Sequence, residues 1–159
     1  MTMRPAPRRS LFDDTFWWHV ADGQLHLQHC SQCDNTWYPP GPACPQCAGE
    51  TWTWQPVAGT GALLSWVTFH KTYFPTMPAP YTVVTCRTDE GVLLLTDTTA
   101  DPATLHIDMP MVLQHYQAVD DTGTPFTLYR WEPADTPSVG RAPAHCPGTT
   151  HCRVNPGCR

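Results

Sequence analysis

The stretch HCSQCDNTWYPPGPACPQC, residues 29–47, decides the reading of this chain. It holds Cys30, Cys33, Cys44 and Cys47 as two Cys-x2-Cys pairs separated by ten residues. Each pair can aim two sulfurs at one point, and two such turns facing each other complete a tetrahedral shell of four thiolates. A shell of four protein ligands has no open position, so the spacing predicts a structural metal site, with zinc as the metal. Iron fits the same soft ligands and is the lesser expectation. A redox Cys-x2-Cys sits at a helix start, whereas these pairs sit among prolines and glycines.

Outward from the metal loop, FDDTFWWHV (12–20) predicts a short helix over 12–23. Asp13 or Asp14 is the expected cap, Phe12, Phe16, Trp17 and His19–Val20 the expected apolar stripe, and Asp22-Gly23 the stop. Residues 24–28 alternate and predict a strand leading into the first cysteine pair, and Trp52 and Trp54 mark another. The metal-bound unit is expected over 24–56.

Beyond Gly59 the texture becomes that of strands. GALLSWVTFHKTY (61–73), YTVVTCR (81–87), VLLLTD (92–97), MVLQHYQAV (111–119) and FTLYRWE (126–132) are separated by turn signals. Among them are DEG (89–91), whose glycine suits a positive φ, and the stiff loop FPTMPAP (74–80). Five strands in this length predict a Greek-key barrel of the OB type over 57–133, with a small sandwich as the alternative. The chain is therefore expected to be mainly β. Residues 1–11 and 134–159 are expected to be a disordered arm and a disordered tail.

Only 14% of the residues are charged. All fourteen acids lie between Asp13 and Asp135, where the only cations are Lys71, Arg87 and Arg130. Phosphate-backbone binding needs clustered Lys and Arg, so the charge pattern argues against nucleic acid. No apolar run reaches the ~20 residues of a membrane span. The basic N-terminus is followed by FDDTFWWHV rather than an export-signal core, which predicts a cytoplasmic protein without membrane partners.

There is no GxSxG, HExxH or phosphate-cradling glycine loop, and no nucleophile–base pairing to assign, so no catalytic residue is expected. His26, His29, His70, His106 and His115 are scattered, and Cys86 reads as a buried small hydrophobe. Cys146, His151, Cys152 and Cys158 match no ribbon or finger spacing and read as free thiols and a histidine of the tail. The aromatic, proline-stiffened run from Trp66 to Tyr81 reads differently. Trp66 and Phe69 are expected to fill the barrel, while Tyr73, Phe74 and Tyr81 are candidates for docking a protein or a flat ligand.

The order of these features resembles a family of acyl-CoA-associated proteins that join an N-terminal helix, a rubredoxin-like zinc ribbon and an OB-fold. The resemblance covers about residues 12–132. Its most specific pieces are DGQLHLQHCSQC, the CPQC knuckle, GTGALLSW, and the APY and DEG pair. It implies a non-catalytic accessory subunit of a thiolase-like enzyme, of the thiolase, acyl-CoA synthase or sterol side-chain aldolase type, acting in carbon–carbon bond formation or cleavage. Some members pair with hydratases instead. The zinc ligands carry over to Cys30, Cys33, Cys44 and Cys47. A face toward acyl-CoA or the partner carries over to His70, Lys71, Tyr73, Phe74 and Tyr81, and a partner-facing helix to Phe16, Trp17 and Trp18. A heterotetramer of two plus two subunits sharing a CoA thioester is implied. Because the body is acidic, the cations for the CoA phosphates are expected from the partner. The competing readings are a single-strand-binding ribbon/OB protein, which lacks its basic groove, and a four-cysteine iron electron carrier.

Overall fold

A computed structural model describes residues 2–9 and 12–134. The tail with Cys146, His151, Cys152 and Cys158 lies outside the described residues.

The elements follow in chain order: β1 Thr2–Met3, α1 Asp13–Ala21, β2 His26–Cys30, β3 Thr36–Trp37, β4 Trp52–Pro56, β5 Thr60–Phe69, β6 Tyr81–Thr88, β7 Leu93–Thr98, β8 Pro110–Val119 and β9 Pro125–Pro133. Strands dominate, as alternation and turn spacing predict. In the small sheet β2 lies between β3 and β4, antiparallel to both. In the larger sheet β5 pairs with β6 and β8, β6 with β7, and β8 with β9. Side chains tie β7 to β9: Thr96 Oγ1 donates to the Tyr129 carbonyl at 2.9 Å, and Thr98 Oγ1 to Glu132 at 3.3 Å. The resulting order, β5-β6-β7-β9-β8 and back to β5, is the five-stranded OB barrel rather than a sandwich.

A register shift between Leu63 and Ser65 bends β5, as a bulge does at a barrel corner. At Gly61 a Cβ would collide with the Arg87 carbonyl oxygen, so the close approach of β5 and β6 requires glycine there. Gly91, at φ +88°, makes the β6–β7 turn as its position in DEG predicts.

One core joins the modules. Phe16 and Val20 from α1 and Leu25 and Leu27 from the ribbon pack with Leu63, Val84, Cys86, Leu94, Met111 and Trp131 of the barrel. The helix thus plugs the space between ribbon and barrel. Its N-cap is Phe12, with no side-chain cap, so neither Asp13 nor Asp14 caps it. Both lie in the first turn, where the helix dipole still favours their charge. Phe12 is 37% exposed and drops out of the expected stripe.

Three further expectations are corrected. The arm is not without structure: Thr2 and Met3 pair in parallel with Ala118 and Val119, and the Arg4 guanidinium meets Asp97 at 3.2 Å. The free edge at the end of β8 offers backbone partners that no property of the arm itself announces. The first ribbon strand begins later than residue 24 and runs into Cys30, because its ladder with β4 continues to Cys30 opposite Trp52. Phe69 does not fill the barrel. Strand alternation turns Trp66 inward, opposite buried Val84, and sends Phe69 outward, where it stacks on Tyr81 at 5.0 Å.

His19 of α1 stacks on His26 of β2 with ring centroids 3.7 Å apart. Burial lowers the His19 imidazole below its ordinary value and the facing His26 adds to this, with Asp22 opposing; burial also lowers His115. Groups with a lowered folded value bind fewer protons folded than unfolded, so stability rises with pH in that range. Their contribution is full above about pH 6.5 and falls away as pH drops below it. Urea midpoints at about pH 7.5 and about pH 5.5 are expected to differ more for the natural chain than for His19→Gln. Equal pH dependence in the two proteins would remove His19 from this account.

The candidate metal centre and its surroundings

The first and third ligands sit where the chain enters each knuckle. In both knuckles the backbone makes the same pair of bonds. Asp34 N–H donates to the Cys30 carbonyl at 3.1 Å, and Cys30 N–H to the Asn35 carbonyl at 2.9 Å. Ala48 N–H donates to the Cys44 carbonyl at 2.9 Å, and Cys44 N–H to the Gly49 carbonyl at 2.9 Å. Each turn closes only with a left-handed residue after its second cysteine: Asp34 at φ 56° and Ala48 at φ 59°. Glycine takes this conformation without a Cβ penalty, and alanine does not. Ala48→Gly is therefore expected to stabilise the metal-loaded protein by about 0.5–1 kcal/mol in chemical denaturation. A loss of stability would show that the turn is not strained.

The four sulfurs lie within 4.8 Å of one another. Cys30 and Cys47 sulfurs are 3.6 Å apart, and those of Cys33 and Cys44 are 3.7 Å apart. A tetrahedron of sulfurs at ~2.3 Å from a zinc ion has edges of about 3.75 Å. A disulfide would need about 2.05 Å. The donor set therefore fits one tetrahedral metal ion and no disulfide. Burial opposes ionising Cys44, but the backbone N–H groups of Cys47 and Gln46, together with Cys33 and Asn35, lower its thiol to about 6. The Asn35 N–H favours the Cys33 thiolate, yet the neighbouring thiols and burial push Cys33 up to about 12. Four sulfurs this close share protons unevenly, and only a cation makes all four thiolates compatible.

Around the sulfurs, Trp37 packs with Cys30 and Cys44, and Trp52 leans on the group. Asn35 Nδ2 donates to the Cys44 sulfur at 3.6 Å. Gln28, 1% exposed, donates through Nε2 to the Gly41 carbonyl at 3.0 Å and accepts the Gly41 N–H at 2.8 Å. That pair of hydrogen bonds fastens the loop between the knuckles. Sequence reasoning missed Gln28, Asn35, Asp34 and Ala48. Only the repeated position one residue after each Cys-x2-Cys carried a signal.

The second group of expected residues lies in the β5–β6 loop. His70, Lys71, Tyr73 and Phe74 are all exposed, and Lys71 Nζ stands 5.7 Å from the Tyr73 ring centre. Tyr73 sits edge-on to Phe69, and Phe74 pairs with Met77. His70, Met77 and Tyr81 line a cavity of 570 Å³ together with Thr68, Thr82 and Thr98. Of the three helix residues expected to face a partner, Phe16 is 1% exposed and belongs to the core; Trp17 packs partly against it, and Trp18 is 62% exposed. The correction for Phe16 is geometric: at nine residues the helix has one inner stripe, and Phe16 and Val20, four apart, define it.

Two family descriptions match adjoining segments: the ChsH2 rubredoxin-like zinc ribbon domain over residues 17–53, and the ChsH2 C-terminal OB-fold domain over residues 54–114. The chain belongs to the ChsH2 family of zinc-ribbon and OB-fold proteins. Its four cysteines are accordingly the metal-binding site of a zinc ribbon. A solved structure named Ltp2-ChsH2(DUF35) aldolase superposes with a TM-score of 0.71 at 29% identity, over 80% of this chain and 98% of that one. A protein of Thermomonospora curvata named probable enoyl-CoA hydratase alpha subunit is 35% identical over 117 residues. That match takes in 72% of this chain and 36% of the relative, so this chain spans about a third of the relative's length. Among the described residues no helix is long and apolar enough to cross a membrane.

Proposed function

We propose that this protein is a non-catalytic accessory subunit that binds a thiolase-like enzyme and helps form its acyl-CoA site for carbon–carbon bond formation or cleavage. The observation that carries the reading is the match across 98% of a chain from a solved ChsH2-containing aldolase, with the ribbon and barrel in one fold. The metal site supports it from the other side: four protein sulfurs fill a tetrahedron, which leaves no position for substrate. The exposed Trp18 and the loop from His70 to Tyr81 are the surfaces proposed to face the partner and the CoA thioester. Cations for the CoA phosphates come from the partner in this reading, since the loop offers only Lys71.

Co-expression with a candidate thiolase-like partner tests the proposal. The two should elute together, with a mass by light scattering of two plus two subunits, and the thiolase-like protein alone should lose activity or stability. A thiolase-like enzyme that is fully active and stable alone would overturn it. A hydratase partner is the second reading, favoured by the name of the Thermomonospora curvata relative. Co-elution with a hydratase subunit instead would select it. A colourless protein holding one zinc per chain would dispose of the iron-carrier reading, and the absence of salt-dependent retention of single-stranded DNA that of the nucleic-acid reading.

A further inference from the structure

The four sulfurs of the metal centre are not equivalent. Cys30 is 0% exposed and Cys44 is 2% exposed. Cys33 is half-buried and packs against the cluster of Cys30, Trp37 and Cys44. Cys47 is exposed, and so are its neighbours Pro45, Gln46 and Ala48. Among the buried ligands, Asn35 Nδ2 donates to the Cys44 sulfur at 3.6 Å and the Gln32 N–H to the Cys30 sulfur at 3.4 Å. Exclusion of solvent lowers the reactivity of a thiolate, and Cys47 is the ligand with the least of it. The side chain of exposed Gln32 and the Cys47 sulfur both border the space left by the missing Cβ of Gly49.

We infer that Cys47 is a modification site: the ligand at which thiol-reactive molecules, low-molecular-weight disulfides above all, open the metal centre. The Cys47 thiolate attacks one sulfur of the disulfide. A Cys47–S bond forms, the original S–S bond breaks, and the other half leaves as a thiolate that takes a proton from water. Cys47 is oxidised and the departing half is reduced. The Cys30 sulfur, 3.6 Å away, then attacks Cys47 and expels the second half as a thiol. The products are a Cys30–Cys47 disulfide, two small thiols and a ribbon that no longer has four ligands. Asp34 and Glu50 flank the two knuckles in sequence, and no Lys or Arg lies between Arg9 and Lys71, so a cationic disulfide is favoured over an anionic one. The staple of this fold is thereby a redox-sensitive one, independent of which enzyme it serves.

The test uses the full chain loaded with one zinc per molecule and limiting amounts of cystamine or oxidised glutathione. Zinc release is followed with a chromophoric chelator, and quenched samples are mapped by peptide mass spectrometry, with Cys146, Cys152 and Cys158 scored separately. Among the four ligands, Cys47 is expected to carry the first adduct by about tenfold or more, with zinc release in step and cystamine the faster reagent. Cys47→His keeps a tetrahedral three-cysteine, one-histidine set and is expected to release zinc about tenfold more slowly. First adducts at Cys33, or zinc release from Cys47→His at the natural rate, would overturn the assignment. If Cys47→His fails to hold zinc, the adduct order in the natural chain decides alone.

Discussion

Cys44→Ser is expected to abolish metal binding and unfold the ribbon. The site supplies folding energy directly: structural zinc contributes roughly 10–16 kcal/mol in small ribbons and fingers near neutral pH. Residues 24–56 contain two short strands and a two-residue strand, too little surface to fold unaided. Cys44 is also buried and is the sulfur with the most hydrogen-bond donors, so its loss removes the best-supported ligand of the four. Zinc per chain should fall from one to none. Tryptophan emission should shift to the red, because Trp37, 6% exposed and packed on Cys30 and Cys44, is released to water. Leu25, Leu27 and Tyr38 leave the shared core at the same time, so the barrel loses one wall. Under the proposed function, partner binding and any activity of the complex are expected to disappear together with folding. A Cys44→Ser protein that stays folded and partnered while the complex loses its chemistry would place the metal nearer to function than a staple.

Phe16→Ala is expected to cost about 3–5 kcal/mol, the range for a fully buried phenylalanine cut back to alanine. Its ring meets Trp17 at 5.2 Å, Tyr38 of the ribbon at 5.2 Å and Tyr129 of the barrel at 6.0 Å. One side chain thus touches helix, ribbon and barrel, and no single module can close over the cavity it would leave. Urea unfolding with metal present should show a lowered midpoint and an unchanged slope. Trp18→Ala, two residues on and exposed, should stay within about 0.5 kcal/mol of the natural chain. Under the proposed function the pair separates two roles: Phe16 holds the molecule together, and Trp18 affects the partner complex alone. Equal destabilisation by both substitutions would mean the helix packs differently.

The β-barrel was legible because alternation, DEG and the spacing of turns are local signals, and a five-stranded count leaves few closed topologies. Trp66 and Phe69 show the limit of reading by residue type. Both are large and apolar, but strand parity places them on opposite faces, and applying the two-residue period would have separated them. The arm was misread because a two-residue parallel pairing depends on the distant end of β8, not on anything in MTMRPAPRRS. Phe16, Trp17 and Trp18 look alike in sequence; the position of the barrel beneath the helix selects which is buried.

The sequence by itself determined the metal ligands, since the spacing of four cysteines dictates which sulfurs can meet, and the mainly β class with its strand order. Tertiary structure alone decided which sulfur faces water, which helix aromatic is core, and that Gln28 and Asn35 support the knuckles. The reason is physical. Ligand spacing and strand period are properties of contiguous chain, whereas burial and hydrogen-bond partnership are set by segments far apart in sequence that meet only when the fold closes.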